Sequence, residues 1–398
     1  MYRRALSWLL RQTLRLDVYI NRVYPTDWNP LYYTGGLTNL FLLVLVVSGI
    51  LLLFYYVASL DGAYASVAYL TERVPYGGLL RGIHRYAGDA FIIAALLHLF
   101  RNWFTDRYLF SRDGPWISGM FLLILGGFIG VNGYQLVWDQ RAQAVTQVFV
   151  DLLSAIPLVG PSLARLFLGG PGISDALLPR VLFLHVGTAS FLYLLLWWHY
   201  VRLRHPKIWP PATWVLTTLG LIIVLAAVPG TAPVAGVAAE PGVGVTTYPL
   251  DVFFLLPFWL TNWLPPIVVT LGLILLFGAG YVIPYLARET EPQMGVRHAG
   301  VAQVIDGNCT GCELCYYDCP YDAIVMVPSP HPGVTKAAAN RKLFAVVMDS
   351  RCVECGICVG ACPFEALELP KFLEADLTRA IAQAVGAPAP AAAPAVTG

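Results

Sequence analysis

The sequence predicts an all-α polytopic membrane protein with a small cysteine-built module at its C-terminal end. Three observations carry this. The 398 residues are 57% hydrophobic and only 12% charged, against roughly 25% charged in ordinary soluble domains. Six apolar stretches, at about 36–57, 83–104, 116–138, 181–203, 213–230 and 266–287, reach or approach the roughly 20 residues that span a bilayer. All eight cysteines lie between Cys309 and Cys362. This composition excludes a soluble globular enzyme and a disordered chain. The balance of 25 basic and 24 acidic residues excludes a nucleic-acid binder by charge. Crowded cysteines argue against a disulfide framework, which would be spread through a secreted domain.

From the N-terminus, residues 1–34 intersperse Arg3, Arg4, Arg11, Arg15 and Arg22 among Leu6, Trp8, Leu9, Leu14 and Ile20. No uninterrupted signal-peptide core exists, so an amphipathic helix on the membrane face and a lead-in are predicted. Residues 35–205 hold the first four spans, and 206–287 hold two more. Residues 250–263 (LDVFFLLPFWLTNW) are too short to span and contain Pro257, so they read as an interfacial or re-entrant helix. A linker over 288–303, a cysteine module over 304–372, and a helix with a Pro/Ala-rich tail over 373–398 complete the chain. Arg and Lys concentrate in the N-terminal segment, in the connection after 104 and in the connection after 203. The positive-inside rule then places both termini and the cysteine module in the cytoplasm, where thiols stay reduced.

The second stretch carries His84 and His98, and the fourth carries His185 and His199, each pair 14 residues apart. Fourteen residues are almost four helical turns, so each pair shares a face and spans about 21 Å. The two helices run in the same direction. Side by side they oppose His84 to His185 near the outer face and His98 to His199 near the inner face. Two bis-histidine sites for haem iron follow, the alternative being hydrogen-bonded core histidines or a proton path. Gly35 and Gly49 on the first stretch, and Gly119 and Gly133 on the third, repeat the 14-residue spacing. They read as clearance for the two macrocycles, or as small-residue helix packing. Arg81, Arg85 and Arg204 flank the histidines and could pair with propionates or snorkel to the interface. His205, His298 and His331 show no such spacing.

Residues 30–205 resemble the haem-binding half of the cytochrome b/b6 family. The resemblance rests on YYTGGL at 32–37, LLRGIHRYAGD at 79–89, HLFRNW at 98–103, WISG at 116–119, IGVNGYQLVWDQ at 129–140, AIPLVGPSL at 155–163 and the histidines. A weaker likeness continues through 206–287 from YPLD at 248–251. The chain departs where the family places a Pro-Glu-Trp-Tyr-type outer quinol-oxidation motif, since Asp251 runs straight into VFFLLPFW. Val137 stands for the family's proline before Trp-Asp. The glutamate of the missing motif, which the resemblance would credit with taking the quinol proton, has no counterpart, and Asp139 and Asp251 are the carboxylates available in its place. Tyr33 stands about where the photosynthetic branch attaches an extra haem through cysteine, so no covalent haem is expected.

Cys309, Cys312, Cys315 and Cys319 form CTGCELCYYDCP, and Cys352, Cys355, Cys358 and Cys362 form CVECGICVGACP. Each is the bacterial ferredoxin run C-x2-C-x2-C-x3-C-P, in which the fourth cysteine ligates the other cluster. Cys309, Cys312, Cys315 and Cys362 are expected to hold a first [4Fe–4S] cluster, and Cys352, Cys355, Cys358 and Cys319 a second. Zinc is the alternative for a lone C-x2-C. The module resembles a two-cluster ferredoxin, a small α+β fold, with an inserted loop over 328–342.

Two haems b, two clusters and no nucleotide or nucleophile motif imply an electron-transfer subunit of a quinone-linked oxidoreductase. Any quinone oxidoreductase activity is expected only in the assembled complex. The expected setting is a prokaryotic cytoplasmic membrane. Expected partners are other subunits of a membrane redox complex, a cytoplasmic electron donor or acceptor, and quinone, with a homodimer also allowed. The alternatives are the core cytochrome b of a bc-type complex with a Rieske partner and an accessory ferredoxin, and a structural anchor.

Overall fold

The computed structural model describes residues 12, 16, 19–20, 28–104, 108, 113–203, 206–228, 231–240, 251–287, 300–319, 321–333, 335, 338–349, 351–352, 354 and 356–370. Gln12, Leu16, Tyr19 and Ile20, the described part of the N-terminal segment, are helical. Arg204, His205, His298, Cys355, most of the expected 288–303 linker and the expected 373–398 helix and tail lie outside the described residues.

Among the described residues, five helices are long and apolar enough to cross a membrane: α1 (Thr34–Leu53), α3 (Gly77–Phe104), α4 (Asp113–Gln135), α7 (Leu177–Tyr200) and α10 (Pro266–Ala287). The fifth expected span is shorter than predicted. Helix α8 covers Ala212–Ala227, 16 residues, or about 24 Å against a hydrocarbon core of about 30 Å. It stops because Val228 precedes a proline and turns extended, at φ −71° and ψ 127°, as pre-proline residues do. The helix expected over 250–263 is only α9 (Leu256–Leu260), with Pro257 in its first turn. Three amphipathic helices escaped the hydropathy reading: α2 (Gly62–Arg73), α5 (Gln140–Ser154) and α6 (Gly160–Leu168).

Helices α1 and α3 pack as one pair, and α4 and α7 as another. Leu37, Phe41, Ala87, Phe91, Val131 and Leu192 fill the space between the pairs. Helix α8 lies against α3 where Gly82 faces Ala226, whose Cβ would sit 2.8 Å from a side chain at residue 82. Helix α10 is tied to α4 by the Trp116 indole donating to the Gly280 carbonyl at 2.8 Å, and to α5 by Thr270 donating to the Leu152 carbonyl at 3.1 Å. Phe183, Leu216, Leu275 and Leu276 face outward and exposed, as a lipid-facing surface requires.

The C-terminal module is α+β. Strands β1 (Gln303–Val304) and β4 (Leu367–Glu368) pair antiparallel, as do β2 (Ile324–Pro328) and β3 (Leu343–Val347). Two five-residue helices, α11 (Leu314–Asp318) and α12 (Ile357–Ala361), lie within the two cysteine runs, carry Cys315 and Cys358, and pack on each other.

Candidate functional site

The four histidines sit in two cavities between the helix pairs. One, named the outer cavity after the orientation expected from the sequence, is about 650 Å³ and is lined by His84, His185, Gly49 and Gly133. The inner one, about 550 Å³, is lined by His98, His199, Gly35 and Gly119. Both volumes fall in the range of cofactor pockets. Leu42, Phe91 and Leu192 line both and form the partition.

Each cavity therefore has the two histidines and two glycines that the 14-residue spacings assign to it. The glycines touch the imidazoles directly. A Cβ at Gly49 would lie 3.2 Å from His84 Cε1, at Gly133 3.1 Å from His185 Cε1, at Gly35 3.0 Å from His98 Cε1, and at Gly119 3.5 Å from His199 Cε1. Because these glycines have no Cβ, the histidine rings come up against the helix backbone at both levels. A Gly133→Leu substitution is expected to displace His185 and lower haem content at the outer site. Redox difference spectra check this, and an unchanged outer-haem signal would sink it.

The imidazoles are held by their Nδ1 atoms. Ser48 Oγ lies 2.9 Å from His84 Nδ1 and donates its own proton to the Val44 carbonyl at 2.6 Å. Ser118 Oγ lies 2.8 Å from His199 Nδ1 and donates to the Gly114 carbonyl at 3.0 Å. Thr34 Oγ1 lies 3.3 Å from His98 Nδ1. The His185 Nδ1–H donates to the Ile129 carbonyl at 2.9 Å. A hydroxyl whose proton is already committed can only accept. The contacts of Ser48, Ser118 and the Ile129 carbonyl therefore put the ring proton of His84, His199 and His185 on Nδ1, which makes Nε2 the atom of each that could bind a metal. At His98 the Nε2 faces the Asn102 amide at 3.3 Å.

The outer rings oppose each other with centroids 6.3 Å apart. Metal–imidazole bonds of about 2.0–2.1 Å on each side would separate two facing ring centres by about 6 Å. The donor set, the tautomers of His84, His185 and His199 and the separation of the outer rings thus fit a bis-histidine haem iron.

The arginines divide. Arg81 donates to the Pro233 carbonyl at 2.9 Å and lines the outer cavity. Arg85 also lines it but is committed to Asp89, Tyr134 and Asp251, the last at 3.0 Å. Tyr134 in turn donates to Asp251. At the inner cavity, Arg101, Arg202 and Lys207 contribute the positive charge. Arg101 is buried over the Tyr32 ring, and Arg202 stacks on Trp198 at 3.7 Å. The sequence reading passed over both. A His-x-x-Arg spacing, His98 to Arg101 and His199 to Arg202, one turn toward the inner end of each helix, was the signal.

In the module, one small cavity is lined by Cys309, Cys312, Cys315 and Cys362. A second is lined by Cys319, Cys352 and Cys358. This is the crossed partition expected from the run. The seven described cysteines form no disulfide with one another. The two runs share one backbone path: Gly311 and Glu354 occupy matching left-handed positions, as do Glu313 and Gly356. Gly311 has no freedom to change, because a Cβ there would sit 2.3 Å from the Leu343 carbonyl oxygen. Ala323 N–H donates to Cys319 Sγ and Ala366 N–H to Cys362 Sγ, both at 3.3 Å. Burial pushes the Cys312 thiol up to about 11 and raises Cys315 and Cys362 as well. Thiolates there need a compensating positive charge, which iron supplies.

The module meets the bundle at the inner cavity. Leu314, Tyr317, Asp318 and Tyr321 line it together with His98 and His199.

Helical spans enclosing two histidine cavities, with a two-cluster cysteine module beside one of them, define a membrane cytochrome b joined to a ferredoxin. Residues 19–208 match the family profile described as cytochrome b/b6/petB, and residues 308–366 match the 4Fe–4S dicluster domain. Cytochrome b6 of Stigeoclonium helveticum is 32% identical over 200 residues, covering 49% of this chain and 91% of that protein. Cytochrome b6 of Synechococcus sp. (strain JA-3-3Ab) is 32% identical over 209 residues, covering 52% and 97%. A chain from a solved structure described as hyperthermophilic respiratory Complex III superposes with a TM-score of 0.53. It covers 64% of this chain and 75% of that chain at 19% identity, a likeness of fold. The chain belongs to the cytochrome b/b6 family and carries a fused dicluster ferredoxin domain. It is a multi-pass membrane electron-transport protein. Its family implies haem b, and its ferredoxin domain implies [4Fe–4S] clusters.

Proposed function

We propose that this protein is the membrane electron-transfer subunit of a quinone-linked oxidoreductase. His84 and His185 would hold an outer haem b, and His98 and His199 an inner one. Cys309, Cys312, Cys315 and Cys362 would hold one cluster, and Cys352, Cys355, Cys358 and Cys319 the other. When bound, these groups supply one-electron steps that link a soluble cytoplasmic partner to the quinone pool or to a partner across the membrane. The chain's own part is to orient the imidazoles through Ser48, Ser118, Thr34 and the Ile129 carbonyl. It also separates the two sites with Leu42, Phe91 and Leu192, and neutralises the inner site's anions with Arg101 and Arg202. The cytoplasmic orientation rests on the distribution of Arg and Lys.

The observation that carries this reading is the ferredoxin residues Leu314, Tyr317, Asp318 and Tyr321 lining the cavity of His98 and His199. The test uses the full-length protein in liposomes, with a reduced soluble two-cluster ferredoxin as donor. Cys358→Ser is expected to slow haem reduction more than tenfold while the haem spectrum stays intact. Reduction at the wild-type rate in that variant would overturn the relay.

A second reading, the core cytochrome b of a bc-type complex with a Rieske partner, is favoured by one observation. Asp251, the acid of YPLD, reaches Arg85 and Tyr134 at the outer cavity. Outer-site-inhibitor-sensitive quinol oxidation with a co-purifying Rieske protein would establish that reading. If the haems never turn over with substrate, the protein is instead a structural anchor.

A further inference from the structure

The helix α11 does two things at once. Its Cys315 belongs to the first cysteine set, and Cys319, the residue after its end, belongs to the second. Leu314, Tyr317 and Asp318, with Tyr321 beyond, recur at helical spacing and face the inner cavity instead. Leu314 lines both that cavity and the cavity of the first cysteine set. Tyr321 lines both that cavity and the cavity of the second. Each cysteine set is therefore one shared residue from the site of His98 and His199.

This placement is held by a residue of the bundle. The Lys207 ammonium lies 4.2 Å from the ring centre of Tyr317 in the module and 4.8 Å from that of Tyr33 at the start of α1. An ammonium between two aromatic faces is attracted by both quadrupoles. The backbone that carries Lys207 is itself fixed. Asn39, buried on α1, donates to the Ile208 carbonyl at 3.2 Å. Gly36 lets the 207–210 segment lie against α1, since a Cβ there would sit 3.0 Å from the Lys207 carbonyl oxygen and 3.1 Å from Pro210 N. The lysine is presented from a segment locked to the bundle, and its other aromatic partner belongs to the module.

We propose that Lys207 is the clasp of a fixed intramolecular interface, holding α11 of the ferredoxin module over the inner cavity between Tyr33 and Tyr317. The module is then a docked neighbour in one orientation, and not a tethered carrier that finds the bundle by diffusion. The kinetic consequence, though not the docking itself, rests on the relay reading above.

The experiment uses full-length protein in lipid nanodiscs, normalised to haem and iron content. Amide exchange over residues 314–321 is followed by mass spectrometry, and haem reduction by a reduced soluble two-cluster ferredoxin by stopped flow. Lys207→Gln and Tyr317→Leu are each expected to raise exchange over 314–321 about tenfold, while Lys207→Arg keeps it near wild type. Gly36→Ala, which touches neither ring, is expected to act in the same direction by displacing the 207–210 segment. Haem reduction should slow in the variants whose exchange rises. Unchanged exchange in both Lys207→Gln and Tyr317→Leu overturns the clasp. If exchange rises as expected but the wild-type haems are not reduced by the donor, the docking stands and the relay reading fails.

Discussion

Replacing His199 with leucine is expected to remove about half of the protohaem from the purified protein while leaving the bundle folded. The site tolerates the change for identifiable reasons. His199 is buried, so an apolar side chain of similar size costs little desolvation. Its hydrogen-bond partner is not stranded, because Ser118 Oγ still donates to the carbonyls of Gly114 and Pro115 at 3.0 Å each. What is lost is the Nε2 that faces the inner cavity. His98 alone then leaves an axial position without protein nitrogen. His185→Leu is expected to remove the other half, since the Ile129 carbonyl orients that ring separately, 14 residues away along α7. A haem assay with low-temperature redox difference spectra distinguishes the two. A full haem complement in either variant would show that the opposed histidines are core residues and not ligands.

The histidine and glycine positions were legible because helix geometry converts a spacing of 14 into a shared face whatever the surrounding fold does. His84, His98, His185 and His199 meet as the spacing demands, and Gly35, Gly49, Gly119 and Gly133 each meet the histidine at their own level. Spacing could not say how closely each imidazole approaches its glycine, because that depends on the distance between helices. The span over 213–230 was overread: hydropathy continued through Val228, but the backbone turned extended before Pro229. Helices α2, α5 and α6 were missed because their apolar residues form stripes and not runs. Asp139 capping α5 by accepting from Ala142 N–H at 2.8 Å was the available signal. Arg85 with Asp89 is a visible four-residue spacing, whereas Asp251 joins that pair from 166 residues away. Lys207 between Tyr33 and Tyr317 belongs to the same class of long-range fact.

The cysteine module gives the second large effect. Cys319→Ala is expected to abolish the same cluster signal as Cys352→Ala, and Cys362→Ala the same signal as Cys309→Ala. Electron paramagnetic resonance of the reduced protein reads the pairing. If each run served its own cluster, Cys319→Ala would instead match Cys309→Ala, and the crossed assignment would fail. The expected structural cost is large because of what the module is made of. Its buried interior is Cys309, Cys315, Cys319, Cys358 and Cys362 with Ala302, Ala323, Ala345, Ala366, Ile324 and Leu367. Among the described residues, Ile324, Leu367 and the neighbouring Leu314 are the large aliphatic side chains that the module fully buries. A core of alanines and thiols buries too little apolar surface to order a domain of this size on its own. Iron–thiolate bonding must supply the difference, so cluster loss is also loss of folding free energy. Removing both Cys319 and Cys362 should therefore raise amide exchange throughout β1–β4, while the histidine cavities of the bundle keep their haem spectrum.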